Sequence, residues 1–256
     1  MYRSFSTRFR MNLTTQLVPD ARLLLLSPHF DDAVWSLGGA VPAWCRDREV
    51  TIVTLCDGDA DPAVVQRLTE PAHRWRAFGG IAARRAEDAR AAAMLGCTRI
   101  GLGHRDAALR ASPTGEFECP APDALFAACA VPDALEARLR AWLRPDDQVI
   151  APLGFGGHVD HCITHLLARR LPHTIAYYAD FPYYAPSHAA MLADQVRALG
   201  LPATPVELEC DWPAWVDASL CYRSQVIRLF GGRARFIDTL SAYAGDTPRC
   251  RIWSTR

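Results

Sequence analysis

The first regular feature of the chain is an apolar run, Leu23 to Leu26, set within Arg22 to Ser27 (RLLLLS) and stopped by Pro28. A short, continuous apolar run bounded by a breaker predicts a buried strand. The pattern over Ser36 to Arg46 is helical, and Glu49 to Leu55 (EVTIVTL), rich in β-branched residues, predicts a second strand. Strand, loop, helix and strand at this spacing make a βαβ unit, whose right-handed crossover sets the two strands parallel. Further along, Ile81 to Leu95 predicts a long helix with Gly96 as its C-cap, and Arg99 to Leu102 a third strand. The polar stretch Leu109 to Pro122 reads as a surface loop. Helices are then expected at Asp133 to Leu143, His161 to Arg170 and Ala189 to Leu199, with strands at Gln148 to Pro152 and Thr174 to Tyr178. Sustained alternation of this kind defines an α/β fold: one Rossmann-like domain with a mostly parallel sheet flanked by helices. The domain is assigned to residues 21–256, and residues 1–20 to an N-terminal extension.

Composition narrows the classes of function. Of 256 residues, 28 are Lys or Arg and 28 Asp or Glu, so the formal net charge is zero, and nothing favours a nucleic acid or an anionic membrane as partner. No apolar run near the start approaches the roughly 20 residues needed to cross a bilayer. Met1 to Arg10 is rich in arginine, serine and phenylalanine and lacks acids; it reads either as a transit-like segment or, preferably, as an extension ahead of Met11. The nine cysteines are at least ten residues apart, which excludes Cys-x-x-Cys chemistry and suits a reducing cytoplasm. Self-association is left open.

Two polar clusters follow predicted strands, where open α/β sheets place their ligands. The first is Pro28-His29-Phe30-Asp31-Asp32, directly after RLLLLS. Adjacent carboxylates repel unless a cation relieves them. The second is His158-Val159-Asp160-His161, after QVIAP and the glycine-rich Gly154-Phe155-Gly156-Gly157. His158 and His161 are three apart, so a helical first turn aims them the same way. Two histidines and a carboxylate satisfy a metal site with one open position, leaving one aspartate and one histidine for acid–base work and oxyanion stabilisation. If Asp31 and Asp32 only capped a helix, His29 and the distant HVDH would go unexplained. A nucleotide-binding module is disfavoured because no Gly-x-Gly-x-x-Gly follows the first strand. The glycines at 154–157 lack the Gly-Lys-Ser/Thr ending of a phosphate loop.

With PHFDDAVWSLGG at 28–39, HVDH at 158–161, Arg84 and Glu87 on a helix ending Leu95-Gly96, and a weaker Tyr222–Gln225 stretch, the chain resembles the PIG-L/LmbE-like deacetylases over roughly residues 22–230. The resemblance implies removal of an N-acetyl or N-acyl group from an amino-sugar-like or similarly polar small substrate; an acylated amino acid or natural-product intermediate is the alternative. It implies zinc held by His29, Asp32 and His161, with Fe2+, Co2+ or Mn2+ as other metals such sites accept. Asp31 is then the general base, and a protonated His158 holds the charge of the tetrahedral intermediate. Arg84, Asp59 and Asp106 are expected to line the substrate pocket, and Asp160 to orient His158. Ala33 stands where the family often has glutamate, and Phe30 where it often has proline. A metal-binding protein that has lost catalysis would not need both Asp31 and His158. Among the other histidines, His165 is expected at the surface or behind the ligands, His73 as structural, and His104 as structural or, since it follows a strand end, bordering the pocket. The aromatic run Tyr177 to Tyr184 reads equally as a sugar-stacking surface or as packing.

Overall fold

The computed structural model describes residues 21–59, 61, 80–111, 116–119, 124–125 and 128–255. Seven strands form one sheet: β1 (Leu23–Ser27), β2 (Val50–Thr54), β3 (Thr98–Gly101), β4 (Gln148–Pro152), β5 (Thr174–Tyr178), β6 (Val206–Glu209) and β7 (Arg249–Ser254). Their order is β3-β2-β1-β4-β5-β7-β6. The first five are parallel, with β1 in register with β2 from Leu23↔Val50 to Ser27↔Thr54 and with β4 from Leu23↔Gln148 to Leu25↔Ile150. Because β1, β2, β4 and β5 are wholly buried, they read as apolar runs rather than as alternations. β7 runs antiparallel to β5, and β6 antiparallel to β7.

From β1 the chain steps to β2 on one side, while β4 lies on the other. This reversal opens a crevice beyond the carboxyl ends of β1 and β4, the two strands that carry the polar clusters.

Helices pack around the sheet: α1 (Asp32–Leu37), α2 (Val41–Trp44), α3 (Ile81–Leu95), α4 (Asp133–Trp142), α5 (Val159–Arg169), α6 (Ala189–Ala198), α7 (Trp212–Ser219), α8 (Arg223–Phe230) and α9 (Arg233–Ala244). Gly96 ends α3 in the left-handed conformation at φ 75°, as expected. The helix expected over Ser36 to Arg46 instead starts at Asp32 and breaks after Leu37. The cause is tertiary. A Cβ on Gly38 would lie 2.8 Å from the Trp215 ring, and one on Gly39 2.5 Å from the Cys210 Cβ. Two glycines let α7 press onto this turn. The third strand begins and ends one residue earlier than its apolar pattern suggested.

Trp35 is fully buried and meets Phe181, Phe230, Phe236 and Tyr222 with ring centroids 5.3–6.1 Å apart. This cluster ties α1 to the carboxyl-terminal helices. Within the stretch expected as a surface loop, Cys119 is buried against Ala107, Leu125 and Val159, and Ala111 bridges Phe117. Among the described residues, no helix is long and apolar enough to cross a membrane. Residues 1–20 and His73 lie outside the described residues.

Candidate metal centre and active site

The loop after β1 is shaped by its own backbone. The Ser27 hydroxyl donates to the His29 carbonyl at 2.5 Å and accepts from the Ala33 N–H at 3.0 Å. Asp32 accepts from the His29 N–H at 2.7 Å, which folds the two side chains toward each other. Although Asp31 precedes α1, its side chain makes no capping hydrogen bond, so capping does not explain it. At the other strand end, His158 caps α5 by accepting the Asp160 N–H at its Nδ1, 3.2 Å away. His161 follows one turn later.

These pieces bring the three histidines together, with ring centroids 5.1–5.4 Å apart. His29 Nδ1 lies 3.1 Å from Asp32 Oδ2, and His161 Nε2 lies 3.3 Å from the same oxygen. Donor atoms of His29, Asp32 and His161 all fall within 4.8 Å of one another, and all three residues are buried. His161 Nε2 is buried without a hydrogen-bond partner, while its Nδ1 is held by Asp180 at 2.7 Å. A ring fixed on one side by a carboxylate, with its other nitrogen unused, is the arrangement of a metal-ligating histidine.

A second trio, His29, Cys56 and Asp160, is equally close. It is a poorer host. The Asp160 carboxylate already accepts from His29 Nε2 at 3.0 Å, Ala107 N at 2.9 Å and Arg110 Nη1 at 2.5 Å. A guanidinium touching that carboxylate also repels a cation. The donor set of His29, Asp32 and His161 therefore fits a divalent metal, and Asp160 serves to hold the far side of His29. The expectation paired Asp160 with His158. In the structure its backbone N–H reaches His158, and its carboxylate meets His29.

The two adjacent aspartates are separated by their surroundings. Burial and the neighbouring Asp32 charge raise Asp31 to about 6, against the opposing pull of Arg84 and His29. Burial also works against the Asp32 charge, but His161 and His29 outweigh it and hold Asp32 well below the carboxylate range. Unequal environments thus give one proton acceptor poised near neutrality and one fixed anion. Burial, together with His29 and His161, lowers His158 to about 3. With Nδ1 accepting the Asp160 N–H, its ring is neutral and carries its proton at Nε2, unlike the protonated ring expected from sequence.

Arg84 and Asp106 both line the cavity. Arg84 lies 3.8 Å from Asp31 and 3.5 Å from Asp106, with its guanidinium 5.1 Å over the Phe30 ring. Phe30, in place of a proline, thus supplies a buried platform for that cation. Asp59 is not brought to the cavity: its side chain is 73% exposed and pairs with Arg85 at 3.0 Å. His104 contacts Arg110 rather than the cavity, at 3.3 Å. His165 is buried, with Nδ1 on the Pro152 carbonyl, and belongs to the packing of α5 on β4.

Sequence reasoning missed Asp180 and Arg110. Asp180 was visible only as part of an aromatic run, and Arg110 fell in a stretch read as surface. Tyr183 of the same aromatic run lines the cavity, 5.0 Å from the His161 ring. Gly156, at φ 90°, makes room for it, since a Cβ there would lie 2.6 Å from the Tyr183 Cβ. The two weaker motifs fit each other: Glu87 accepts from Ser224 N and Oγ at 2.9 and 2.6 Å, and Asp88 from the Tyr222 hydroxyl at 2.7 Å.

Comparison with known proteins bears on the family and the fold. The curated 2'-N-acetylparomamine deacetylase of Streptomyces fradiae is 34% identical over 171 residues, covering 63% of this chain and 57% of that protein. The chain therefore spans little more than half the length of that relative. Teicoplanin deacetylase, solved in a zinc-inhibited form, superposes with a TM-score of 0.68 over 91% of this chain and 97% of its own, at 19% identity. The A40926 pseudoaglycone deacetylase does so at 0.64 over 92% and 96%, at 23% identity. These similarities to solved structures concern the fold. The family model for PIG-L, GlcNAc-PI de-N-acetylase, matches residues 24–171, a span that begins in β1, includes both histidine motifs and covers more than half of the chain. With both strand-end motifs inside that match, the chain belongs to the PIG-L (GlcNAc-PI de-N-acetylase) family.

Proposed function

We propose that this chain is a zinc-dependent N-deacetylase that hydrolyses the acetamide of an amino-sugar-like small molecule, releasing acetate and a free amine. The observation that carries this reading is the convergence of His29, Asp32 and His161, with the unused His161 Nε2 among them and Asp31 directly adjacent. Two imidazoles and one carboxylate are the ligand types of catalytic zinc, which keeps a further position open. Zinc held there supplies Lewis acidity, making water nucleophilic near neutrality and polarising the acyl group.

Asp31 takes the proton of the attacking water, a role suited to a carboxyl raised to about 6. Arg84, 3.8 Å away, keeps its ionised form accessible despite burial. His158 donates its Nε2–H to the oxygen that becomes negative as the acyl carbon turns tetrahedral; one such donor is typically worth about 3 kcal/mol of barrier. Asp31 then returns its proton to the departing nitrogen. Arg84 and Asp106 orient the substrate's polar groups. A reducing cytoplasm suits the nine cysteines, all of which are free thiols.

The test is elemental analysis of the purified protein together with free-amine release from N-acetylglucosamine-type substrates. Wild type is expected to hold about one zinc per chain and to release amine. His161→Ala is expected to lose both metal and activity, whereas Asp31→Asn keeps the metal and loses at least about 100-fold in kcat. Full activity in Asp31→Asn with metal bound overturns the base assignment, and no metal after reconstitution overturns the reading as a whole.

A further inference from the structure

Tyr183 lines the cavity together with Asp31, Asp106 and His158. Its ring centroid lies 5.0 Å from that of His161 and 6.1 Å from that of His158. The backbone around it is tied down: the Tyr183 carbonyl accepts from His188 Nδ1 at 3.2 Å, and Tyr184 N donates to the Asp180 carbonyl at 2.8 Å. The ring is seated only because Gly156 opposite it adopts the left-handed conformation and has no Cβ. The hydroxyl, by contrast, is unused. Among the described residues it has no hydrogen-bond partner, and it is not sealed from the cavity. A hydroxyl on a largely buried tyrosine usually finds a partner. One that is held in place without a partner, in the wall of a reactive cavity, is a preset contact for a ligand.

Which ligand atom it meets follows from acceptor capacity. A carbonyl oxygen has two lone pairs. His158 takes one of those on the acyl oxygen and the other faces the metal position, so Tyr183 is left for a different group. The polar groups next nearest to the amide of an amino sugar are the hydroxyls on the two carbons flanking the one that bears nitrogen. A phenol suits such a group, because each can both donate and accept. We propose that Tyr183 is a specificity-determining residue: its hydroxyl bonds a hydroxyl vicinal to the reacting amide and selects such substrates over amides that lack one. This rests on the deacetylase reading and adds a substrate contact to it.

Amine release is compared for N-acetylglucosamine, its 3-deoxy analogue and its 1,5-anhydro analogue, the two analogues each lacking one flanking hydroxyl. Wild type is expected to lose about tenfold in kcat/KM on one of the two analogues, the worth of one hydrogen bond. Tyr183→Phe is expected to keep its metal, to lose about tenfold on N-acetylglucosamine, and to lose nothing further on that analogue, which identifies the hydroxyl. An equal loss on all three compounds would put the Tyr183 hydroxyl on the acyl group, and no loss on any would leave it without a contact. Loss of metal from the variant would mark a structural role. Each of these results overturns the inference and leaves the deacetylase reading intact. If wild type releases no amine from any compound, calorimetry on the same three decides. Tighter binding of N-acetylglucosamine than of one analogue, abolished in Tyr183→Phe, upholds the contact while the deacetylase reading fails; equal binding overturns both.

Discussion

At the scale of single residues, the chemistry depends on which carboxylate holds which ring. Asp180 fixes His161 through Nδ1 and Asp160 fixes His29 through Nε2, which leaves the opposite nitrogen of each ring facing Asp32. Asp160 is held in turn by Arg110 Nη1, whose Nε pairs with Glu118 at 2.8 Å. Arg110 therefore acts as a positioning residue two contacts away from the donor set. Arg110→Met is expected to weaken metal binding by about 10- to 100-fold, read by competition with a chelating dye, and Arg110→Lys to restore part of it. Unchanged affinity in Arg110→Met would show that Asp160 needs no cation to hold His29. Nothing in the local sequence marks Arg110 for this role: it lies among loop residues, 50 positions before Asp160. Phe30 shows the opposite case, a departure from the family pattern whose use becomes visible once its ring is seen beneath Arg84.

At the scale of elements, the site is assembled by strand ends and then closed by two helices. α3 supplies Arg84, Glu87 and Asp88 from one buried face, and α8 with the residue before it supplies Tyr222, Ser224 and Gln225. Tyr222 and Asp88 are both buried at this seam, and Arg99 pairs with Asp88 from the other side. Tyr222→Phe removes one donor to a buried carboxylate and is expected to cost about 1–2 kcal/mol in denaturant unfolding. A cost near zero would mean that Arg99 alone satisfies Asp88. The long helix α3, with its glycine stop, was legible from sequence because helix periodicity and C-caps are local signals. The broken helix after Asp32 was not, because its break is set by Trp215 and Cys210, more than 170 residues away. No element beyond Leu199 was predicted. β6 and β7 owe their existence to antiparallel pairing with distant partners, and α7 and α8 have only 8 residues each.

At the scale of the whole molecule, the parallel core is locked near its amino-terminal edge by an ion pair between Arg22, just before β1, and Asp147, just before β4. Arg22 donates to Asp147 from Nε at 2.9 Å and from Nη2 at 2.6 Å, and Arg144 N adds a third bond at 2.7 Å. Burial opposes the Asp147 charge, but these hydrogen bonds outweigh it and hold the carboxyl below its ordinary value. A carboxyl depressed in the folded state stabilises above its unfolded pKa, about 3.9, and loses that contribution as pH falls through the lower folded value. The stability gap between wild type and Asp147→Asn is therefore expected to be full at pH 7 and to shrink below about pH 4. Urea midpoints across that range measure it; a gap that stays constant on acidification would contradict the assignment.

The sequence by itself determined the α/β class, the parallel strands β1, β2 and β4, and the two motifs that face each other across the switch point. It could do so because buried strands and short polar clusters are written in contiguous residues, and a parallel sheet puts the carboxyl ends of all its strands on one edge. Tertiary structure alone decided that Asp160 turns its carboxylate to His29, that Asp59 faces solvent with Arg85, and that Arg110 and Asp180 complete the centre. It also decided that Tyr183 reaches the cavity where Gly156 makes room for it. Those outcomes depend on side-chain direction and on partners dozens of residues apart, and neither is encoded in the spacing of a motif.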